Sequence, residues 1–594
     1  MSFGRIVRLN LALLLTLSAM SVSAPQTPAP QTIDQFFTDF TAEWVRGNPN
    51  AATGARYFTG EEQDRLERQL TPQTEAYTRE RIALARKGLA QLRKFDRTRM
   101  SDTQRVSADL MEWQLDTVTR EEPYLDYAFP LNQFNGVNVN LVEFLTVRHP
   151  LSSEHDAANY VAALGQVSTR MDEAVNEAKR VAAKEMLPPR FIIQSTLTQM
   201  KQFVATPAAQ NPLVTTLEQK MNTAATPISD ARRKELREQA AKIVGEQVYP
   251  SWQRAISFLD PLVAQTHDDA GLWRFKGGAQ AYAYFLRRFT TTDLTPDQIH
   301  EIGLREVARI EKEMDEILRQ LHRTDGSLKD RIAKLKTDLG YPVSEDGRKV
   351  IMTDVEQILR DAEKRSQSLF DQRPKSPVVA QPFPRFREAN AAANYNSPAP
   401  DGSRPGVFQI PLRPERMTKF GLRSLVYHET VPGHHFQIAL QVENKSLPRF
   451  RQIGAFGGIS ALGEGWGLYA ERLAAESGWY TGDLEGRLGQ LDSELFRARR
   501  LVVDTGIHAK HWTRQQAIDY GIEASEVERY VVNPGQACSY MIGELKIIEL
   551  REKAKKTLGA KFSLNQFHDV VLNTGTVPLV VLERQVDGYI RSQR

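Results

Sequence analysis

The residues best suited to chemistry lie in the stretch Tyr427-His428-Glu429-Thr430-Val431-Pro432-Gly433-His434-His435. There, three of the eleven histidines fall within eight positions, and a carboxylate follows the first of them. Imidazole nitrogens bind zinc-type ions, and an adjacent acid can take the proton from a metal-activated water. In a regular helix, residues four apart share one face, which is how the His-Glu-x-x-His motif clamps a single ion. Here the second histidine arrives after six residues (His434) or seven (His435). At about 1.5 Å of rise per residue, the longer spacing would set the two backbones roughly 10 Å apart. A straight helix cannot chelate that way. Pro432, however, removes a backbone donor and clashes with the carbonyl of His428, and Gly433 reaches conformations closed to other residues. The sequence therefore predicts a break at Pro432-Gly433. Deleting that pair restores His-Glu-x-x-His with His434 as second ligand, so His434 is preferred and His435 is the alternative.

A catalytic zinc with two histidines needs a third protein ligand and an open position. The single cysteine, Cys538, excludes a thiolate cluster and an intrachain disulfide, so any metal must use His and carboxylate. Glu464, in Gly463-Glu464-Gly465-Trp466-Gly467-Leu468-Tyr469-Ala470-Glu471, is the candidate third ligand, on a helical stretch whose glycines allow a second helix to come close. Glu471 shares its face seven residues on and suits a partner to a ligating histidine. Glu429 is placed to act as general base. Arg500, Asp504 and His508 fall four apart on one helical face, an arrangement in which Asp504 orients His508 and His508 stabilises an oxyanion, or which is a plain ion-pair ladder. Tyr540, after Pro534-Gly535-Gln536, is either a second oxyanion donor or a packed tyrosine. His568 is a weaker candidate.

The elements that must position these groups read as helices almost throughout. Ile33, Phe36, Phe37, Phe40 and Trp44 recur at helical spacing, and the folded body starts there. Ser101 is an expected N-cap, Ser153 opens a long amphipathic run through Val175, and a helix is expected from about Ser229 to Trp252. Thr295-Pro296-Asp297-Gln298 opens another. Between Trp273 and Arg288, paired glycines and two tyrosines read as a turn delivering aromatics either to a cleft wall or to the core. Gly406 to Ile410 reads as a short strand just before the helix, from about Leu422, that enters the motif. Such a strand could present a free edge to an extended peptide.

Residues 1–24 have a basic start (Arg5, Arg8), an apolar stretch and small residues at Val22-Ser23-Ala24, which reads as a secretory signal too short to favour a membrane span. Residues 25–32 form a Pro/Gln linker, and residues 33–594 form the helical body, long enough for two lobes or one multilayer unit. The formal net charge of +4 falls to about +2 once Arg5 and Arg8 are removed, which argues against a nucleic-acid partner.

At Trp273–Arg288, His428–Gln437, Glu464–Glu471, Arg500–His508, Pro534–Gly543 and Gly575–Leu579, the sequence resembles the bacterial family called domain of unknown function 885. That family looks like a distant relative of the gluzincin metallopeptidases, including the carboxypeptidase Taq group, which are largely helical with a deep cleft. The resemblance implies that His428 and the second histidine bind zinc, that Glu429 is the base, and that Glu464 stands where gluzincins place their glutamate ligand. The Pro-Gly insertion departs from the gluzincin pattern and leaves the second histidine open.

The expectation is a mainly α protein with a deep cleft and a small strand element beside the metal helix. Its expected function is a periplasmic or secreted zinc metallopeptidase that cleaves short peptides with one zinc per chain. An amidase on a non-peptide substrate and a non-catalytic helical binding protein are the alternatives.

Overall fold

Helix starts in this chain are set by local chemistry. In the computed structural model, Ser101 and Thr295 both close capping boxes, with Gln104 and Gln298 respectively, and so satisfy backbone donors that a helix leaves open. Ser153 caps the helix Glu154–Leu164, and Ser229 caps Asp230–Ile243. The structure describes residues 31–383, 385–388, 392–399, 402 and 404–594. The signal segment and nearly all of the linker lie outside them.

The protein is mainly α. The run expected from Ser153 to Val175 is two helices, Glu154–Leu164 and Val167–Ala182, separated at Gly165-Gln166. The helix expected to reach Trp252 continues through a π-helical turn, Val244–Val248, into Tyr249–Leu259. Apolar side chains divide into one large core, from Ile33 to Leu115 and from Leu272 to Ile590, a second core spanning Leu70 to Leu262, and two smaller clusters, one including Ile192, Ile507 and Tyr530 and one formed by Val45, Ala52, Tyr57 and Leu66. No helix among the described residues is long and apolar enough to cross a membrane.

One small sheet sits beside the histidine motif: β1 (Val378–Pro382), β2 (Asn394–Asn396) and β3 (Gly406–Ile410), in the order β1-β3-β2. The expected strand is present, but its edge is not free. β3 pairs in parallel with β1 on one side and antiparallel with β2 on the other, so strand addition at β3 is excluded. Two further helices frame the motif. Ser460–Glu476 runs against Ser539–Leu558, and a Cβ on Gly543 would sit 1.8 Å from the Ala461 carbonyl, so the contact requires glycine. The long helix Leu484–Ala509 packs along both the motif helix, Lys419–Glu429, and Pro296–Gln320.

Candidate metal centre

The helix Lys419–Glu429 ends where Pro432 and Gly433 require it to end. The Val431-Pro432 bond is cis, the Gly433 N–H donates to the Tyr427 carbonyl at 3.0 Å, and a new helix, His434–Glu443, begins immediately. A Cβ on Gly433 would lie 1.9 Å from the His428 carbonyl, so only glycine fits this turn. The Trp466 indole N–H reaches the Pro432 carbonyl at 2.9 Å and holds the turn against the Ser460–Glu476 helix. Gly467 clears the space in which the His428 imidazole lies, since a Cβ there would come within 2.6 Å of the ring.

This break brings His428, His434 and Glu464 together, with one potential ligand atom from each lying within 4.8 Å of the others. Nε2 of His428 is 3.6 Å, and Nε2 of His434 3.5 Å, from the same oxygen of Glu464. Two ligands held at about 2.0–2.2 Å from one ion in tetrahedral geometry stand roughly 3.3–3.6 Å apart, so the spacing of these atoms fits zinc. His435 points elsewhere. Its Nδ1 lies 2.9 Å from the Tyr395 hydroxyl on β2, and burial lowers its pKa to about 4.

Nδ1 of His428 lies 2.7 Å from Glu471, whose second oxygen accepts a hydrogen bond from the Ser424 hydroxyl. With its N–H given to Glu471, His428 presents Nε2 to the cluster. Burial pulls the His428 pKa down, but Glu464 and Glu471 outweigh it and hold it up at about 10. Burial pushes Glu464 up, and His428 and His434 overcome that to hold its carboxyl well below the usual range. The opposite balance holds at Glu429, where burial raises the carboxyl against the pull of His434 and His428. A carboxylate raised this way is a better proton acceptor near neutral pH.

His508 does not belong to this arrangement. It is fully buried, its Nδ1 accepts from the Leu272 N–H at 3.2 Å, and its Nε2 donates to the Tyr530 carbonyl at 3.0 Å. Both ring nitrogens are used by backbone, burial pushes its pKa down to about 4, and it has no free donor for an oxyanion. Asp504 does not orient it either, because that carboxylate takes the Tyr282 hydroxyl at 2.6 Å and the Gly535 N–H at 3.0 Å. The two tyrosines of the Trp273–Arg288 segment are core residues: Tyr282 as just described, and Tyr284 through the Thr117 carbonyl at 3.1 Å. His568 is likewise spent, between the Tyr469 hydroxyl and the Leu369 carbonyl.

Tyr540 lies in a different setting, ringed by arginines. The Arg500 guanidinium lies 4.5 Å and that of Arg497 6.0 Å from its ring, and Arg529 reaches its hydroxyl at 3.5 Å. Arg497 also stands 3.8 Å from Glu471, which ties this group to the histidine cluster. Ser424 and Arg497 went unnoticed in the sequence. Ser424 sits one turn before His428 on the same face, and that spacing was a usable signal.

The sequence matches the family described as "Bacterial protein of unknown function (DUF885)" over residues 49–586. The chain belongs to this family. The crystal structure of the putative lipoprotein from Colwellia psychrerythraea superimposes with a TM-score of 0.88 at 31% identity, covering 94% of this chain and 100% of that one. A putative lipoprotein of unknown function from Shewanella oneidensis shares the fold, with a TM-score of 0.69 at 18% identity over 93% of this chain and 99% of that one. No curated protein matches. The DUF885 match covers every residue of the histidine–glutamate cluster described above.

Proposed function

We propose that this protein is an exported zinc-dependent hydrolase, most simply a metallopeptidase of gluzincin type acting on short peptides. The observation that carries the reading is the placement of Nε2 of His428, Nε2 of His434 and a Glu464 oxygen at zinc-ligand spacing, with Glu429 next in sequence to the first. His428, His434 and Glu464 would hold the ion. Zinc bound there supplies a Lewis acid and lowers the pKa of its water. Glu429, its carboxyl raised by burial, takes a proton and returns it to the leaving amine. Glu471 and Ser424 keep His428 in the tautomer that faces the ion. Tyr540 is the remaining donor for the developing oxyanion, now that His508 is occupied by backbone.

A cavity of about 680 Å³ is lined in part by Trp44, Tyr77, Arg81, Tyr127, Phe275 and Phe456. None of His428, Glu429, His434, Glu464 and Tyr540 is among its lining residues. Export accords with the secretory pattern of the first 24 residues and with the lipoprotein names of both similar structures. Metal content by elemental analysis, paired with chelator-sensitive cleavage of a mixed peptide library, tests the proposal. Zinc near one per chain with chelator-sensitive cleavage is expected. Stoichiometric zinc with no cleavage of peptides or other amides would replace the hydrolase with a binding protein.

A further inference from the structure

The cavity of about 680 Å³ that the candidate metal ligands do not line opens where the apolar cores meet. Trp44 and Phe456 reach it from the first core, Phe129 and Leu187 from the edge of the second, and Ile192 and Ala270 from the smaller cluster that includes Tyr530. Ligand sites favour such seams, with volumes of about 300–1,000 Å³. The charges in its wall do not cancel. Glu75, Asp126 and Glu177 are matched by Arg79, Arg180 and Lys184: Arg180 lies 2.6 Å from Asp126 and 2.8 Å from Glu177, Lys184 2.6 Å from Asp126, and Arg79 2.5 Å from Glu75. Arg81 and Arg274 are left over, and neither forms an ion pair among the described residues. Nη1 of Arg81 donates to the Trp44 carbonyl at 2.8 Å, and its guanidinium lies 3.7 Å from the centre of the Trp44 ring. Nη2 of Arg274 donates to the Leu187 carbonyl at 2.6 Å, its guanidinium lies 4.3 Å from the Phe275 ring centre, and its Nε is buried without a protein partner. Burial pulls both pKa values down, that of Arg274 to about 10 with only Asp269 opposing it. A buried cation without a counter-charge and a buried donor without an acceptor are both costly, so two surplus guanidiniums in one cavity wall mark a place for an anion.

We propose that this cavity is a second ligand site, separate from the metal centre, and that it takes a small organic acid with a flat aromatic body. Arg81 and Arg274 supply the contact to the anion. With one face laid on a ring, a guanidinium still offers N–H groups along its edge, and a carboxylate accepts two of them in one plane. Tyr77, Tyr127, Phe275 and Phe456 line the same space and give a flat apolar group surfaces to stack on. Asn132, Asn135 and Asn140 add uncharged donors and acceptors. Neither arginine is a candidate metal ligand, and the site stands whether or not the protein hydrolyses peptides. The wall nonetheless adjoins the scaffold of the metal centre. Its residues Ala455, Phe456 and Gly457 lead into the helix Ser460–Glu476, which carries Glu464, so a bound acid braces the approach to that helix.

Calorimetric titration of the full chain tests the site with three probes: 2-naphthoate, neutral 2-naphthamide, which keeps the rings, and acetate, which keeps only the carboxylate. Metal-free and zinc-loaded protein are both titrated, because a carboxylate can also bind zinc. The naphthoate is expected to bind both forms equally, and at least about tenfold more tightly than either comparator. Arg81→Gln and Arg274→Gln should each weaken the naphthoate about tenfold and leave the amide within about twofold. Thermal unfolding separates this loss from misfolding. The two arginines lie on different segments, Glu75–Leu92 and Leu272–Arg274, so one folded variant decides. Binding of the naphthoate only when zinc is loaded would place it on the metal and overturn the cavity site. So would binding that Arg529→Gln abolishes while both cavity substitutions leave it intact, which would place the acid beside Tyr540. Equal affinity for the naphthoate and either comparator, or no saturable binding of it up to about 1 mM, would overturn the site as well.

Discussion

Two histidines six residues apart can meet one ion because a proline and a glycine stand between them. Only glycine fits at Gly433, where a Cβ would collide with the His428 carbonyl, and the turn it allows delivers Nε2 of His434 to the Glu464 oxygen that His428 also faces. His434→Ala is therefore expected to abolish stoichiometric zinc retention after dialysis, and His435→Ala, whose ring turns to Tyr395, to keep it. The reverse pattern would move the second ligand to His435. Glu471→Gln removes the carboxylate held against Nδ1 of His428 and should weaken zinc affinity by about 10- to 100-fold in a competitive chelator titration. An unchanged affinity would show that Glu471 does not orient the ligand. At this scale much of the site was legible. The Pro-Gly pair announces a break, and Glu471 lies two turns from Glu464. His508 was not legible, because i,i+4 spacing states which residues share a face and not which backbone groups from Leu272 and Tyr530 will claim the ring.

Glycines also set the spacing between elements. Gly465 and Gly543 let Ser460–Glu476 and Ser539–Leu558 touch backbone to backbone, and the first of these helices carries both Glu464 and Glu471. Gly543→Val forces a side chain toward the Ala461 carbonyl and should cost about 1–3 kcal/mol of stability, read as a lowered denaturant midpoint, together with weaker zinc retention. A midpoint equal to wild type would mean that the helices separate without strain. The glycines of the Glu464 stretch signalled a close helix partner, but nothing in them named Ser539–Leu558 as that partner. The strand at Gly406–Ile410 was equally visible from its residues. Its central place in the sheet depends on Val378–Pro382 and Asn394–Asn396 pairing across the chain, which no local pattern encodes.

Across the whole molecule, buried histidines contribute to the loss of stability in acid. Burial lowers His508 and His568 from 6.5 to about 4, so the unfolded chain takes up their protons first as pH falls. Their contribution is intact above pH 6.5 and is lost as pH drops toward 4, by up to about 3 kcal/mol each. Thermal unfolding of the zinc-loaded protein should therefore shift to lower temperature from pH 7 to pH 4.5, and a flat profile would show these rings charged or exposed in the fold. The helical class of the molecule followed from periodicity and capping residues, whereas the division of its apolar residues into separate cores, the largest drawing on segments as far apart as Ile33–Leu115 and Leu272–Ile590, could not be read there. The proposed chemistry turns on Glu429. Its most direct test is the rate of peptide cleavage by zinc-loaded Glu429→Gln beside zinc-loaded wild type, with metal content measured on both. Equal zinc and a loss of about 100-fold or more in kcat are expected, as for removal of a general base. Equal zinc with equal turnover would contradict it.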